Sequence, residues 1–441
     1  MSKLLGILSH LGRRSLTVVG VLGLLAAGLW AVAQPSLSLA ATCAAGYGGY
    51  GGASSTCGPY VPLTPTRILD TRSGLGHSGA VGAGQSITLS VAGVNGVPAV
   101  GGASAVVLNV TATGPTNPSD LIVYPGGGSL PSTSNLNFVP GETVANLVEV
   151  QLGSSGGVSF YNLAGSVQVI ADLEGYVSST ASTSGLFIPL PASRVLDTRI
   201  DLGHSGPVAA DTSISFPVAD VGGLPSSGKI EAVAFNLTAT EPTNYGDVTA
   251  YTGVESSTAT SNVNFSAGQP AIANRVIANV VGGQVNLYFN ALNDTGTVQL
   301  IADVNGYFTS PGSSTTGSDF NAESPQRIDD TRTGAPIGAG GTINIQVAGQ
   351  DGVPAIGSAT PATAVVLNVT VTDASAASDL VVWPDGSGKP GTSDINFVAG
   401  QTQPNLVVVA LNQTGTGAGE VSFYNVAGST DVVVDVEGWY S

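Results

Sequence analysis

The chain has 441 residues, only 9% of them charged, and a formal net charge of −17. So large an acidic excess excludes nucleic acid and other polyanions as partners over most of the surface. An apolar fraction of 42% excludes a disordered chain. The 61 glycines and 25 prolines, without helical apolar periodicity, indicate short strands and many turns.

In chain order, Lys3, Arg13 and Arg14 precede an uncharged apolar run from Leu16 to Ala33. Ser38-Leu39-Ala40 then supplies the small residues that signal peptidase needs, so residues 1–40 read as a signal peptide. The 18-residue run is short of the roughly 20 that span a bilayer, which favours cleavage over a retained anchor. Membrane contact is expected only through that segment, if it is retained. Arg13-Arg14 leaves both the general and the twin-arginine export routes open. Residues 41–58 form a Gly/Tyr/Ser-rich head with the only cysteines, Cys43 and Cys57, which in an exported chain read as a disulfide. Without the signal, nine cations face 29 acids, a charge of −20.

Six of those nine cations fall in one hexapeptide that occurs three times. It reads Arg67-Ile-Leu-Asp70-Thr-Arg72, Arg194-Val-Leu-Asp197-Thr-Arg199 and Arg327-Ile-Asp-Asp330-Thr-Arg332. A period of about 130 residues means three structural repeats, assigned to 59–178, 186–308 and 319–441 with short polar linkers between them. Each repeat holds about eight alternating strand patterns bounded by Gly-rich turns. The predicted fold is therefore all-β: three tandem antiparallel β-sandwich domains of jelly-roll or Greek-key type.

Read as a strand, the hexapeptide puts Ile68, Asp70 and Arg72 on one inward face. The Asp70–Arg72, Asp197–Arg199 and Asp330–Arg332 pairs are then structural ion pairs, joined by Arg67, Arg194 and Arg327 and by Asp172, Asp303 and Asp435. The next alternating strand sets Val106, Leu108 and Val110 inward and Asn109 and Thr111 outward, with Asn236 and Asn368 matching Asn109 in the other copies. That polar face, beside Tyr124, Tyr251 and Trp383, is the candidate binding surface for a sugar, through ring stacking and amide hydrogen bonds.

The recurrent Asp70, Asp120 and Asp172, with Asp197, Asp247 and Asp303, then Asp330, Asp379 and Asp435, allow two lesser readings. These are a calcium site helped by Asn137 and a glycoside hydrolase pair. No Asp-x-Asp-x-Asp run exists, and arginine partners account for several of these charges. After the signal only His77 and His204 remain, and copy three lacks an equivalent. No enzyme, catalytic residue, metal ligand or cofactor is expected.

Taken together, Arg-x-Leu-Asp-Thr-Arg, Leu-Asn-Val-Thr, Ser-Asn-Leu-Asn-Phe and Asp-x-x-Gly-Tyr resemble an uncharacterised β-rich tandem repeat module. It occurs in exported and cell-surface proteins of high-GC Gram-positive and related bacteria, often beside cell-wall or polysaccharide hydrolase domains. The resemblance covers about residues 60–441, and copy three departs at Asp329. It implies an extracellular accessory module and brings no ligand or catalytic residue with it. The expected protein is secreted or surface-associated, and binds cell-envelope polysaccharide or another surface component through three weak sites that act together. A structural or adhesive spacer is the alternative.

Overall fold

A computed structural model of the protein describes residues 57–252, 260–313 and 316–441. The export segment and Cys43 lie outside the described residues, and so does the expected Cys43–Cys57 pairing. Copy one runs β1 (Cys57–Gly58), β2 (Tyr60–Asp70), β3 (Gln85–Ser90), β4 (Ala103–Thr113), β5 (Ser119–Pro125), β6 (Leu136–Phe138), β7 (Thr143–Gln151), β8 (Gly157–Asn162) and β9 (Gln168–Ser178). Its strands form two antiparallel sheets, in the orders β2-β9-β4-β7 and β3-β8-β5-β6. The other copies repeat both orders, so the described residues contain six small sheets. Alternation produces them. In β3, for example, Ile87 and Leu89 are buried while their neighbours face solvent.

The two sheets of each copy enclose one apolar cluster, for instance Leu69, Val106, Leu108, Leu121, Val148, Phe160 and Leu173 in copy one. A fourth cluster belongs to all three copies. It joins Tyr60, Ala105, Val107 and Leu147 to Phe187, Ala234, Ile277 and Phe308, and to Phe320, Val366, Leu406 and Tyr440. Phe187 stacks on Tyr440 at 4.3 Å between ring centroids, and Tyr60 meets Phe308 at 4.7 Å. The all-β class therefore holds, but the expectation of three separate tandem sandwiches does not. Residues such as Val107 and Val366, on the face opposite each copy's own core, bury against the other copies.

The connections reinforce this closure. The β1 strand pairs with Phe320–Asp330 of copy three, setting Cys57 opposite Asn321. Tyr60 donates its N–H to Gly185 O at 2.9 Å, and Phe187 donates to Ser318 O at 2.8 Å. Residues just ahead of each copy are thus hydrogen-bonded to a different copy. The described parts of the connectors are pinned in place and do not act as free spacers.

Because the central cluster has contributions from every copy, residues 57–441 are expected to unfold in one cooperative calorimetric transition. A fragment of residues 59–178 would expose Ala105, Val107, Leu147 and Val177, and is expected to associate or stay unfolded when run on a sizing column. Three resolved transitions, or a monodisperse folded fragment, would contradict this.

Candidate functional site

The arginine motif uses each residue differently from its strand-only reading. Strand β2 carries a bulge between Arg67 and Leu69, so Ile68 and Leu69 are both buried. The strand ends at Asp70, and Arg72 stands in the following turn. Arg72 does not point inward, as simple alternation predicts. Its side chain is 48% exposed while still gripping Asp70, with Nε to Oδ1 at 2.9 Å and Nη2 to Oδ2 at 2.7 Å. The Arg72 N–H also donates to Asp70 Oδ1 at 3.0 Å. These bonds hold the Asp70 carboxyl below its ordinary range. Thr71 completes the turn by accepting from the Val169 N–H.

Arg67 makes the deeper pair. Its Nε and Nη2 reach Asp172 Oδ1 and Oδ2 at 2.8 and 3.1 Å, and Asp172 is fully buried. Burial raises the Asp172 carboxyl in spite of this arginine. Arg194–Asp303 and Arg327–Asp435 repeat the geometry with Nε to Oδ1 distances of 2.8 and 2.9 Å. Asp172 also accepts the N–H of Ser261, which belongs to copy two, so the pair lies where two copies meet. Arg199 and Arg332 copy the exposed role of Arg72 on Asp197 and Asp330.

Asn109, Asn236 and Asn368 form no outward sugar platform, because all three are buried at these seams. Asn274 Nδ2 donates to Asn109 Oδ1, Asn405 Nδ2 to Asn236 Oδ1, and Asn146 Nδ2 to Asn368 Oδ1, each at 2.8 Å. In return Asn109 donates to Ser261 O, Asn236 to Ser393 O at 2.9 Å and Asn368 to Ser134 O at 2.6 Å. The remaining amide oxygens accept main-chain N–H groups of Leu147, Arg275 and Leu406, each at 3.0 Å. Copy one is thereby tied to two, two to three, and three to one. Alternation reads these residues as polar and outward, and a single copy offers no sign of the neighbour that covers them.

Behind the asparagines lie buried acids. Asn262 Nδ2 donates to Glu174 Oε1 at 3.3 Å and Asn135 Nδ2 to Glu437 Oε1 at 2.5 Å. At the third seam Asn305 replaces the glutamate and Asp394 the asparagine, and the fully buried Arg275 bonds Asn305 and sits 3.6 Å from Asp394. Burial pushes Glu149 and Glu174 up to about 8 and raises Glu437 well above its usual value.

The aromatics chosen from sequence are also corrected. Tyr124 is 7% exposed and bonds Ser86 Oγ at 2.9 Å; Trp383 is 8% exposed and donates to Ser387 O at 3.2 Å. Tyr251 is half-buried. Among the described residues, no three His, Cys, Asp or Glu side chains are placed to hold a metal, so Asp70, Asp120 and Asp172 do not form a calcium set with Asn137.

An open groove of about 810 Å³ lies where copy one meets copy two. Gly141, Glu142 and Thr143 of copy one face Tyr245, Asp247, Asn264, Gln269, Asn290 and Leu292 of copy two. Tyr245 and Leu292 are 56% and 57% exposed. Their loops are clamped together: Leu292 N–H donates to Tyr245 O at 2.9 Å, and Asn244 Nδ2 donates to Leu292 O at 2.7 Å. Asn290 Nδ2 donates to Asp247 Oδ2 at 2.8 Å, and burial still pushes Asp247 up to about 6. Aligning the copies puts Pro118 and Ala377 at the position of Tyr245, and Leu163 and Val426 at that of Asn290. The signal in the sequence was this departure of copy two from its siblings.

No family model matches the chain, and neither does any curated protein. Among solved structures it is similar to the N-terminal CBM22 tandem domain of Paenibacillus barcinonensis Xyn10C, at 12% identity and a TM-score of 0.17, over 57% of this chain and 99% of that one. It is also similar to a chain of Sulfolobus Turreted Icosahedral Virus, at 9% identity and a TM-score of 0.18, over 87% and 90% of the two chains. A chain from a structure described as the triple jelly roll fold and turret assembly in an archaeal virus gives 9%, 0.18, 87% and 89%. Likenesses this slight carry no argument about function.

Arg67→Ala strands a fully buried carboxylate at a seam and is expected to cost about 3–5 kcal/mol in denaturant unfolding, whereas Arg72→Ala is expected to cost about 1 kcal/mol or less. Equal losses would mean that burial does not separate the two pairs.

Glu149 and Glu174 bind protons more tightly when folded, so their contribution is fully present below about pH 4.5 and is lost as pH rises through about 8, and Glu437 acts in the same direction. Asp70, Asp197 and Asp330 act oppositely, and their contribution disappears as pH falls below the normal aspartate range. Tm is therefore expected to peak in mild acid and to fall by several degrees towards about pH 8.5. Glu149→Gln should flatten that alkaline limb. A Tm that rises between pH 5 and 8 would refute the assignment.

Proposed function

We propose that the protein is a non-enzymatic binding protein of the bacterial surface, which takes cell-envelope carbohydrate in the groove between copies one and two. The observation that carries this reading is Tyr245: a solvent-facing ring on a main chain held to that of Leu292, beside a wall of amides and carboxylates. An aromatic face with neighbouring hydrogen-bonding groups matches the two faces of a sugar ring, one apolar and one hydroxylated. The export-signal reading of residues 1–40 and the resemblance to exported repeat modules support the location. The strand orders recurring in every copy support a jelly-roll reading of each repeat. Among the described residues only Tyr245 of the tyrosines is exposed, so the reading moves from three weak sites to one groove.

The test is a panel of envelope glycans and peptidoglycan fragments titrated into the whole protein and followed by calorimetry. A saccharide ligand is expected, and Tyr245→Ala is expected to weaken it roughly tenfold, about 1.4 kcal/mol, without moving Tm. Binding that is indifferent to Tyr245 would overturn the assignment of the groove.

A further inference from the structure

Asp247 and Asn264 face each other across adjacent strands, Gly246–Tyr251 and Val263–Phe265, and both line the groove. Their counterparts in copy three satisfy one another, with Asn396 Nδ2 donating to Asp379 Oδ1 at 2.7 Å. Copy two is different. Asn290 takes Asp247 Oδ2, and neither Asp247 Oδ1 nor Asn264 Nδ2 has a hydrogen-bond partner. An enclosed acceptor and an enclosed donor without partners have lost their hydration for nothing, so a ligand that supplies both bonds recovers that cost on binding. Copy one also leaves Asp120 Oδ1 unpartnered, but it carries Pro118 and Leu163 where copy two has Tyr245 and Asn290.

From this geometry we infer that the groove selects a neutral pyranose oligosaccharide, one of whose hydroxyls donates to Asp247 Oδ1 and accepts from Asn264 Nδ2 while the ring packs on Tyr245. A hydroxyl is the sugar group that serves both atoms at once. The carboxylate of a uronic acid only accepts, and would bring its charge towards Asp247 and Glu142, with no Lys, Arg or His on the groove wall. Asn290 is a positioning residue: it holds Asp247 Oδ2 at 2.8 Å, a bond that Leu163 and Val426 at the same position of the other copies cannot make.

This inference rests on the carbohydrate reading above, and the experiment separates the two. Cello-, manno- and chito-oligosaccharides and oligogalacturonate are titrated into the full chain and into Tyr245→Ala, Asn290→Val and Asn264→Ala, with a melting curve for each variant. The expected result is binding of at least one neutral series, with oligogalacturonate at least about tenfold weaker. Asn290→Val, which releases the Asp247 carboxylate from its anchor, and Asn264→Ala, which removes the donor, should each lose about tenfold in affinity at unchanged Tm. If Asn290→Val fails to fold, Asn264→Ala decides the matter alone. Equal or tighter binding of oligogalacturonate overturns the inference. So does wild-type affinity in Asn264→Ala while Tyr245→Ala loses the ligand, an outcome that leaves the carbohydrate reading standing. No binding by any series overturns both.

Discussion

The cyclic exchange of hydrogen bonds between asparagines is the interaction on which the rest of the structure depends. Each copy buries one side of its inner sheet in its own core and the other side against its neighbours. The second burial takes polar groups with it, and a buried amide must find partners or forfeit its hydration. Asn109, Asn236 and Asn368 find theirs in Asn274, Asn405 and Asn146, in carbonyls of the next copy, and in no group of their own core. The bonds run one way around and return to their start. Each copy therefore completes the polar satisfaction of another, and the shared aromatic cluster closes beneath them.

The arginine motif belongs to the same device. Its two cations look equivalent in sequence but have separate tasks, because the bulge after Arg67 places Ile68 and Leu69 together in the interior and ends the strand at Asp70. The first arginine neutralises the aspartate of the last strand where the neighbouring copy begins. The second fastens a turn at the surface. The seams also tolerate exchange of charge. Where two of them set asparagine against glutamate, the third sets Asp394 against Asn305 and adds Arg275 in the interior. A buried arginine among buried acids is costly to assemble and costlier to leave unpaired, so these changes make sense only as a group.

Departure from threefold repetition is what produces a candidate site. At corresponding positions the copies place Pro118, Tyr245 and Ala377, then Leu163, Asn290 and Val426. Only the middle set combines an exposed ring with an amide that anchors the neighbouring aspartate, Asp247. The residues held in common by all copies serve assembly, and the ones that break the pattern are free to serve a ligand.

Much of this was legible in one dimension. The hexapeptide marked three repeats, strict alternation marked the strands, and glycine-rich turns separated them, because these are properties of short stretches of chain. Pairing of Asp70 with Arg72 was readable because two positions apart is within reach of one side chain. What alternation could not supply was the identity of the surface covering each face. Asn109 and Thr111 are polar and alternate with valine, which describes a solvated face and a seam equally well. Tyr124 and Trp383 lie in strands that looked half-exposed, yet hydrogen bonds to Ser86 and the Ser387 carbonyl keep them buried. Local spacing determined the strands, the repeats and the all-β class. Only the packing of one copy on another decided which polar residues are interior, how the arginines divide their work and where a groove is left open, because burial depends on a neighbour more than a hundred residues away in the chain.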